Sequence, residues 1–88
     1  MQANSKGGSE TPFSSEVKKA RLSCFMNQVE FAKALGVSFT TVNRWENGKA
    51  QPNIKAMKAL KQFSLEHGYQ YDLLEKSWHE IMIDTEKQ

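Results

Sequence analysis

Apolar residues recur along this chain at helical spacing, and the breaks between them fall on capping residues. Val17, Ala20 and Cys24 stand at i, i+3 and i+7, which predicts a first helix opening at Ser14 and Ser15 and running to about Phe25. Glu16 lies near the positive end of that helix's dipole. Asn27 followed three residues later by Glu30 reads as a capping box, and the helix it opens carries Phe31, Ala32 and Leu35 inward until Gly36 stops it. Ser38 reopens the helical pattern two residues on. Val42 and Trp45 form a short inward face there, and Asn47-Gly48 closes it. Pro52-Asn53 begins a fourth helix with Ile54, Met57, Ala59, Leu60, Phe63 and Ser64 at helical spacing, ended by Gly68. Asp72 with Glu75 opens a fifth, carrying Leu74, Trp78, Ile81 and Met82. No segment alternates with a period of two, so the expected class is all-α, a bundle of about five short helices.

The chain has 88 residues and one cysteine, enough for one modest core and no intramolecular disulfide. Residues 1–13 are rich in Ser, Gly, Asn and Gln, and are expected to form a disordered tail. Residues 14–68 are expected to form the main domain and residues 69–88 an acidic amphipathic helix. No apolar core of a signal peptide stands near the N-terminus and no run is long enough to span a membrane, so a soluble protein acting in the cytoplasm is expected.

The net charge of +2 conceals a segregation. Residues 14–61 hold nine basic residues against three acidic ones, a net of +6, while residues 62–88 hold two against six, a net of −4. A basic block followed by an acidic one suits a protein with one side turned to a polyanion.

The two helices of residues 27–48 are joined through only Gly36-Val37-Ser38, which is helix-turn-helix spacing. With Val42 and Trp45 spent on the core, Phe39, Thr40, Asn43 and Arg44 face outward. Arginine can donate twice to guanine, threonine offers a hydroxyl and a methyl, and asparagine can bridge adenine. At 1.5 Å per residue the helix from Thr40 to Trp45 is on the order of 10 Å long, short enough for a major groove about 12 Å wide.

The run from Asn27 to Lys49, with Gln28, Glu30-Phe31-Ala32, Leu35-Gly36-Val37-Ser38 and Glu46-Asn47-Gly48-Lys49, followed by Pro52, closely resembles the Cro and phage-repressor (XRE-like) helix-turn-helix family. The resemblance covers about residues 14–67. It implies a lambda-repressor-like bundle that places its third helix in the major groove of double-stranded DNA. By position it implies base reading by Gln28, Phe39, Thr40, Asn43 and Arg44, and phosphate contacts by Asn27, Asn47, Lys49 and Lys55. It also implies a structural ion pair between Arg21 and Glu46. Phe39 stands where many members carry Gln or another polar residue, so it either wedges against a thymine methyl or packs on the domain.

Function then reads as sequence-specific DNA binding by a small transcriptional regulator, a repressor. The alternatives are an antitoxin-type autorepressor that also holds a toxin, or a helix-turn-helix module used for protein contacts. No Ser, His and Asp arrangement suggests an enzyme, and His67 and His79 have no ligand spacing, so neither catalysis, a cofactor nor a metal is expected. Leu74, Trp78, Ile81 and Met82 either close the domain's own core or form a homodimer seam setting two recognition helices about 34 Å apart.

Overall fold

A computed structural model describes residues 12–86, and side chains through Ile83. It contains five helices: α1 (Pro12–Ser23), α2 (Gln28–Leu35), α3 (Phe39–Glu46), α4 (Ile54–His67) and α5 (Asp72–Glu86). No strand occurs among the described residues, so the protein is all-α. No described helix is long and apolar enough to cross a membrane.

The first helix differs from the expectation at both ends. It starts at Pro12, a residue whose fixed φ suits a first helical turn, and not at a cap formed by Ser14 and Ser15. Phe13, expected in the tail, is only 1% exposed and is among the largest fully buried side chains. Ser14 is buried beside it. The rest of the expected tail, residues 1–11, lies outside the described residues. At its far end α1 stops at Ser23, two residues early, because Phe25 takes a left-handed backbone with φ of 58°.

The other helices begin and end on their side chains. Asn27 caps α2, Ser38 caps α3 and Asn53 caps α4, each accepting a backbone N–H three residues on. Gly36 and Gly68 end α2 and α4 in the left-handed conformation, with φ of 74° and 72°. Asp72 is the first residue of α5 and not its cap.

The core gathers Phe13, Val17 and Ala20 of α1 with Phe31, Ala32 and Leu35 of α2 and Val42 and Trp45 of α3. Met57, Leu60 and Phe63 of α4 and Leu74 of α5 complete it, and Phe31 meets Phe63 edge to face at 5.1 Å. Ile54, expected to face inward, is exposed instead. It is the first residue of its helix, one turn short of where the buried face begins.

The fifth helix packs on α1. Leu74 is fully buried there, which removes it from any seam between copies of the chain. Trp78 and Ile81 pack partly against the same core, and the Trp78 indole Nε1 donates to the Pro52 carbonyl at 2.8 Å. Three of the four apolar residues expected at the seam are thus engaged within the chain, and Met82 is half-buried.

Two side chains bind the end of α4 and the start of α5 to the rest. Tyr69 Oη donates to Glu16 of α1 at 3.2 Å and Tyr71 Oη to the Met57 carbonyl at 3.1 Å. Burial first, and the Glu16 carboxylate second, push the Tyr69 phenol up to about 12.

Two measurements check this packing. Phe13→Ala is expected to cost about 3–5 kcal/mol in urea unfolding, a large share of the total stability of about 5–15 kcal/mol usual for a domain. The Tyr69 pKa is raised on folding, so its stabilisation is complete below the unfolded value near 10 and is lost as pH rises through about 12. The wild type is therefore expected to lose more stability than Tyr69→Phe across that alkaline window, a difference that unfolding curves at matched pH would read.

Candidate nucleic-acid interface

The turn between α2 and α3 is built from local chemistry. Asn27 Oδ1 accepts from the Glu30 N–H at 2.8 Å and Glu30 Oε1 accepts from the Asn27 N–H at 2.9 Å, the reciprocal box that fixes where α2 starts. Ser38 Oγ accepts from the Thr41 N–H at 3.1 Å and pairs with the Thr41 hydroxyl at 2.9 Å. Between them Gly36 reverses the chain, and the Val37 N–H returns to the Ala32 carbonyl.

The end of α3 is equally determined. Gly48 has φ of 70°, its N–H donates to the Trp45 carbonyl, and the Lys49 N–H donates to the Arg44 carbonyl at 2.8 Å. That pair of bonds around a left-handed glycine is a Schellman motif. It folds Lys49 back beside Arg44, whose Nη2 donates to the Lys49 carbonyl at 3.4 Å.

With both ends fixed, α3 divides into two faces. Val42 and Trp45 are buried, and Glu46 is 2% exposed. Phe39, Thr40 and Arg44 are exposed, Phe39 at 48%. Asn47 and Lys49 follow them into solvent, as do Asn27 ahead of α2 and Lys55 in the first turn of α4.

Behind that face lies a set of hydrogen bonds with Glu46 at its centre. Arg21 Nε donates to Glu46 Oε2 at 2.7 Å and Nη2 to Oε1 at 3.0 Å, so the expected ion pair is present and bidentate. The same guanidinium donates through Nη1 to the Met26 carbonyl at 2.9 Å, tying the loop between α1 and α2 to the pair. The hydrogen-bonded carboxylate pushes the Arg21 pKa up from its ordinary value, against the opposing effect of burial.

The structure brings further residues to this pair. Gln28 Nε2 donates to Glu46 Oε1 at 2.9 Å, Asn43 Nδ2 to Gln28 Oε1 at 3.1 Å, and Asn47 Nδ2 to Asn43 Oδ1 at 3.1 Å. Gln28 and Asn43, both expected to read bases, are half-buried and bonded to one another. The Gln28 bonds join residues fifteen and eighteen positions apart, and no spacing rule within a helix signals them. The family resemblance had singled out Arg21, Gln28, Asn43, Glu46 and Asn47 one by one, but of their bonds to one another only the Arg21 and Glu46 pair was expected.

Among the described residues no group of three or more His, Cys, Asp or Glu side chains could hold a metal ion. An open cleft of about 430 Å³ runs between α3 and the start of α4, bounded by Thr41, Arg44 and Lys55 over a floor of Trp45, Ala56 and Ala59.

Comparison with known proteins adds to this geometry. A family model described as helix-turn-helix matches residues 17–63, from α1 to the last turns of α4, which is 47 of the 88 residues. The chain is also similar to the HTH-type transcriptional activator BcrR of Enterococcus faecalis, with 31% identity over 51 residues. That alignment covers 58% of this chain and 25% of the relative, so the chain spans about a quarter of that protein's length. No solved structure matches it. Fold and family match together establish that the chain belongs to the helix-turn-helix family of the XRE and Cro type.

Proposed function

We propose that this protein binds double-stranded DNA sequence-specifically and acts as a small transcriptional repressor by occupying an operator. The observation that carries this reading is the exposed face of α3, Phe39, Thr40 and Arg44, on a helix fixed at both ends by its own caps and buried on its other side by Val42 and Trp45. A short, capped helix meets the steric demand of the major groove, and Thr40 and Arg44 on its outer face meet the chemical one.

Electrostatics supports the same orientation. Asn47, Lys49 and Lys55 are exposed, and in this reading they contact the phosphates that flank an inserted α3. Asn27 would reach a phosphate through its amide nitrogen, since its oxygen is engaged in the cap. The acidic excess of residues 62–88 belongs to the end of α4 and to α5, elements other than the reading helix. The family membership supports DNA binding, and the Enterococcus faecalis relative, named a transcriptional activator, supports a regulatory role in general and not repression in particular.

Within this reading Arg44 and Thr40 read base edges, Phe39 offers an apolar surface for a thymine methyl, and Lys49 neutralises backbone charge. Selection of bound sequences from a random duplex pool, then titration at two salt concentrations, tests the reading as a whole. A recovered motif with salt-dependent affinity supports it; equal and salt-insensitive recovery of all duplexes overturns it. On the recovered site, Arg44→Ala is expected to cost about 1–3 kcal/mol of binding and to relax preference at one base pair. Lys49→Ala is expected to weaken all duplexes alike and to reduce the salt slope by about one unit.

A further inference from the structure

The direction of the hydrogen bonds around Glu46 has a consequence for base reading. A carboxylate paired with an arginine has no proton to give, so it accepts only. Gln28 must therefore turn its nitrogen toward Glu46, which leaves its oxygen toward α3. Asn43 must then turn its own nitrogen toward Gln28, which leaves its oxygen to accept from Asn47. Three amides, each able to flip with almost no change of shape, are set in one direction by a single buried acceptor.

For a hydrogen-bonding side chain at a base edge, that direction decides what it can read. Adenine presents an acceptor beside a donor in the major groove, while guanine presents two acceptors, so the order of nitrogen and oxygen along an amide selects among bases and their orientation. Asn43 lies on the boundary between the buried network and the outward face of α3. Its nitrogen lies on the α2 side and its oxygen on the side of the helix C-terminus.

The structure assigns to Glu46 a role beyond holding α1 to α3: acting through Gln28, it fixes the direction in which Asn43 presents its amide and so determines the base preferred at that one position. Glu46 is a positioning residue here. At 2% exposure it does not itself reach a base, and the assignment rests on the DNA-reading function proposed above.

The experiment compares base preferences position by position, by selection from a random duplex pool, for the wild type and a set of variants. Asn43→Ala identifies the base pair at which preference disappears. Glu46→Gln keeps the shape but supplies a donor as well as an acceptor, so both amide directions become available. It is expected to reduce preference at that same base pair on the order of tenfold, leaving the preferences due to Arg44 and Thr40 in place. In a Gln28→Ala background the connection is cut, and Glu46→Gln is expected to change that preference no further. A purely structural Glu46 would instead weaken every duplex alike in both backgrounds, with the preference intact, and that result would overturn the assignment.

Gln28→Ala leaves the ion pair in place and so remains informative where Glu46→Gln fails to fold. It should relax preference at the same base pair, and retention of the full preference would likewise overturn the assignment. An Asn43→Ala protein with every wild-type preference would also overturn it, while still leaving a DNA-reading protein. A wild type that prefers no duplex at all would instead remove the DNA-reading proposal itself, and this inference with it.

Discussion

The fold turns on the burial of one carboxylate. Glu46 sits at the last position of α3 with almost no exposure, and removing an ion from water costs several kcal/mol unless its oxygens are satisfied. Arg21 supplies two N–H groups and Gln28 a third, from α1 and from the first residue of α2. The requirement to satisfy one charge thus constrains three helices at once. Well-packed hydrophobic residues in place of both Arg21 and Glu46 would hold the helices together as well or better, but would impose no direction on the groups around them. The pair therefore explains geometry better than it explains stability.

Stability comes from elsewhere. Phe13, Phe31, Leu60 and Leu74 come from four different helices and are among the largest fully buried side chains, so the apolar core is shared among nearly all the elements. In a chain of this length that sharing matters, because a small domain has little apolar surface to spare. The fifth helix contributes Leu74 to that core and braces the start of α4 through Trp78 and Pro52. It lies outside the residues matched by the helix-turn-helix family and is nonetheless part of the same packing unit.

What was legible in the sequence was whatever depends on near neighbours. Asn27 with Glu30, Gly36, Ser38, Asn47-Gly48, Asn53 and Gly68 each act over three or four residues, and each bounds a helix where its spacing predicted. Interactions across the bundle were not legible in this way. Phe13 follows a polar run and looked like the end of a tail, because its burial depends on residues that only the fold brings near. Ile54 shared the helical period of Met57 and Leu60, but period alone does not say on which turn a buried face begins. Exposure of the outer face of α3 followed from the inward pair Val42 and Trp45, whereas the bonds from Gln28 to Glu46 and Asn43 required the packing of α2 against α3.

Phe25 shows the same limit from the opposite side. Nothing in its immediate sequence forbids helix, and the spacing of Val17, Ala20 and Cys24 would carry α1 through it. Instead it adopts a left-handed backbone, at a cost on the order of 1–3 kcal/mol for a residue with a bulky side chain, and its ring is 95% exposed. Local preference does not explain that conformation, but the constraint on either side of it does. Arg21 must reach Glu46 and also the Met26 carbonyl, while Asn27 must stand free of α1 to cap α2. Only three residues separate Ser23 from Asn27, and the left-handed Phe25 ends α1 among them, its N–H donating to the Leu22 carbonyl and that of Met26 to the Arg21 carbonyl. The burial of Glu46 is thus linked to the conformation of a residue on the surface. The helix that positions Gln28 begins where it does because the chain accepts that strained turn.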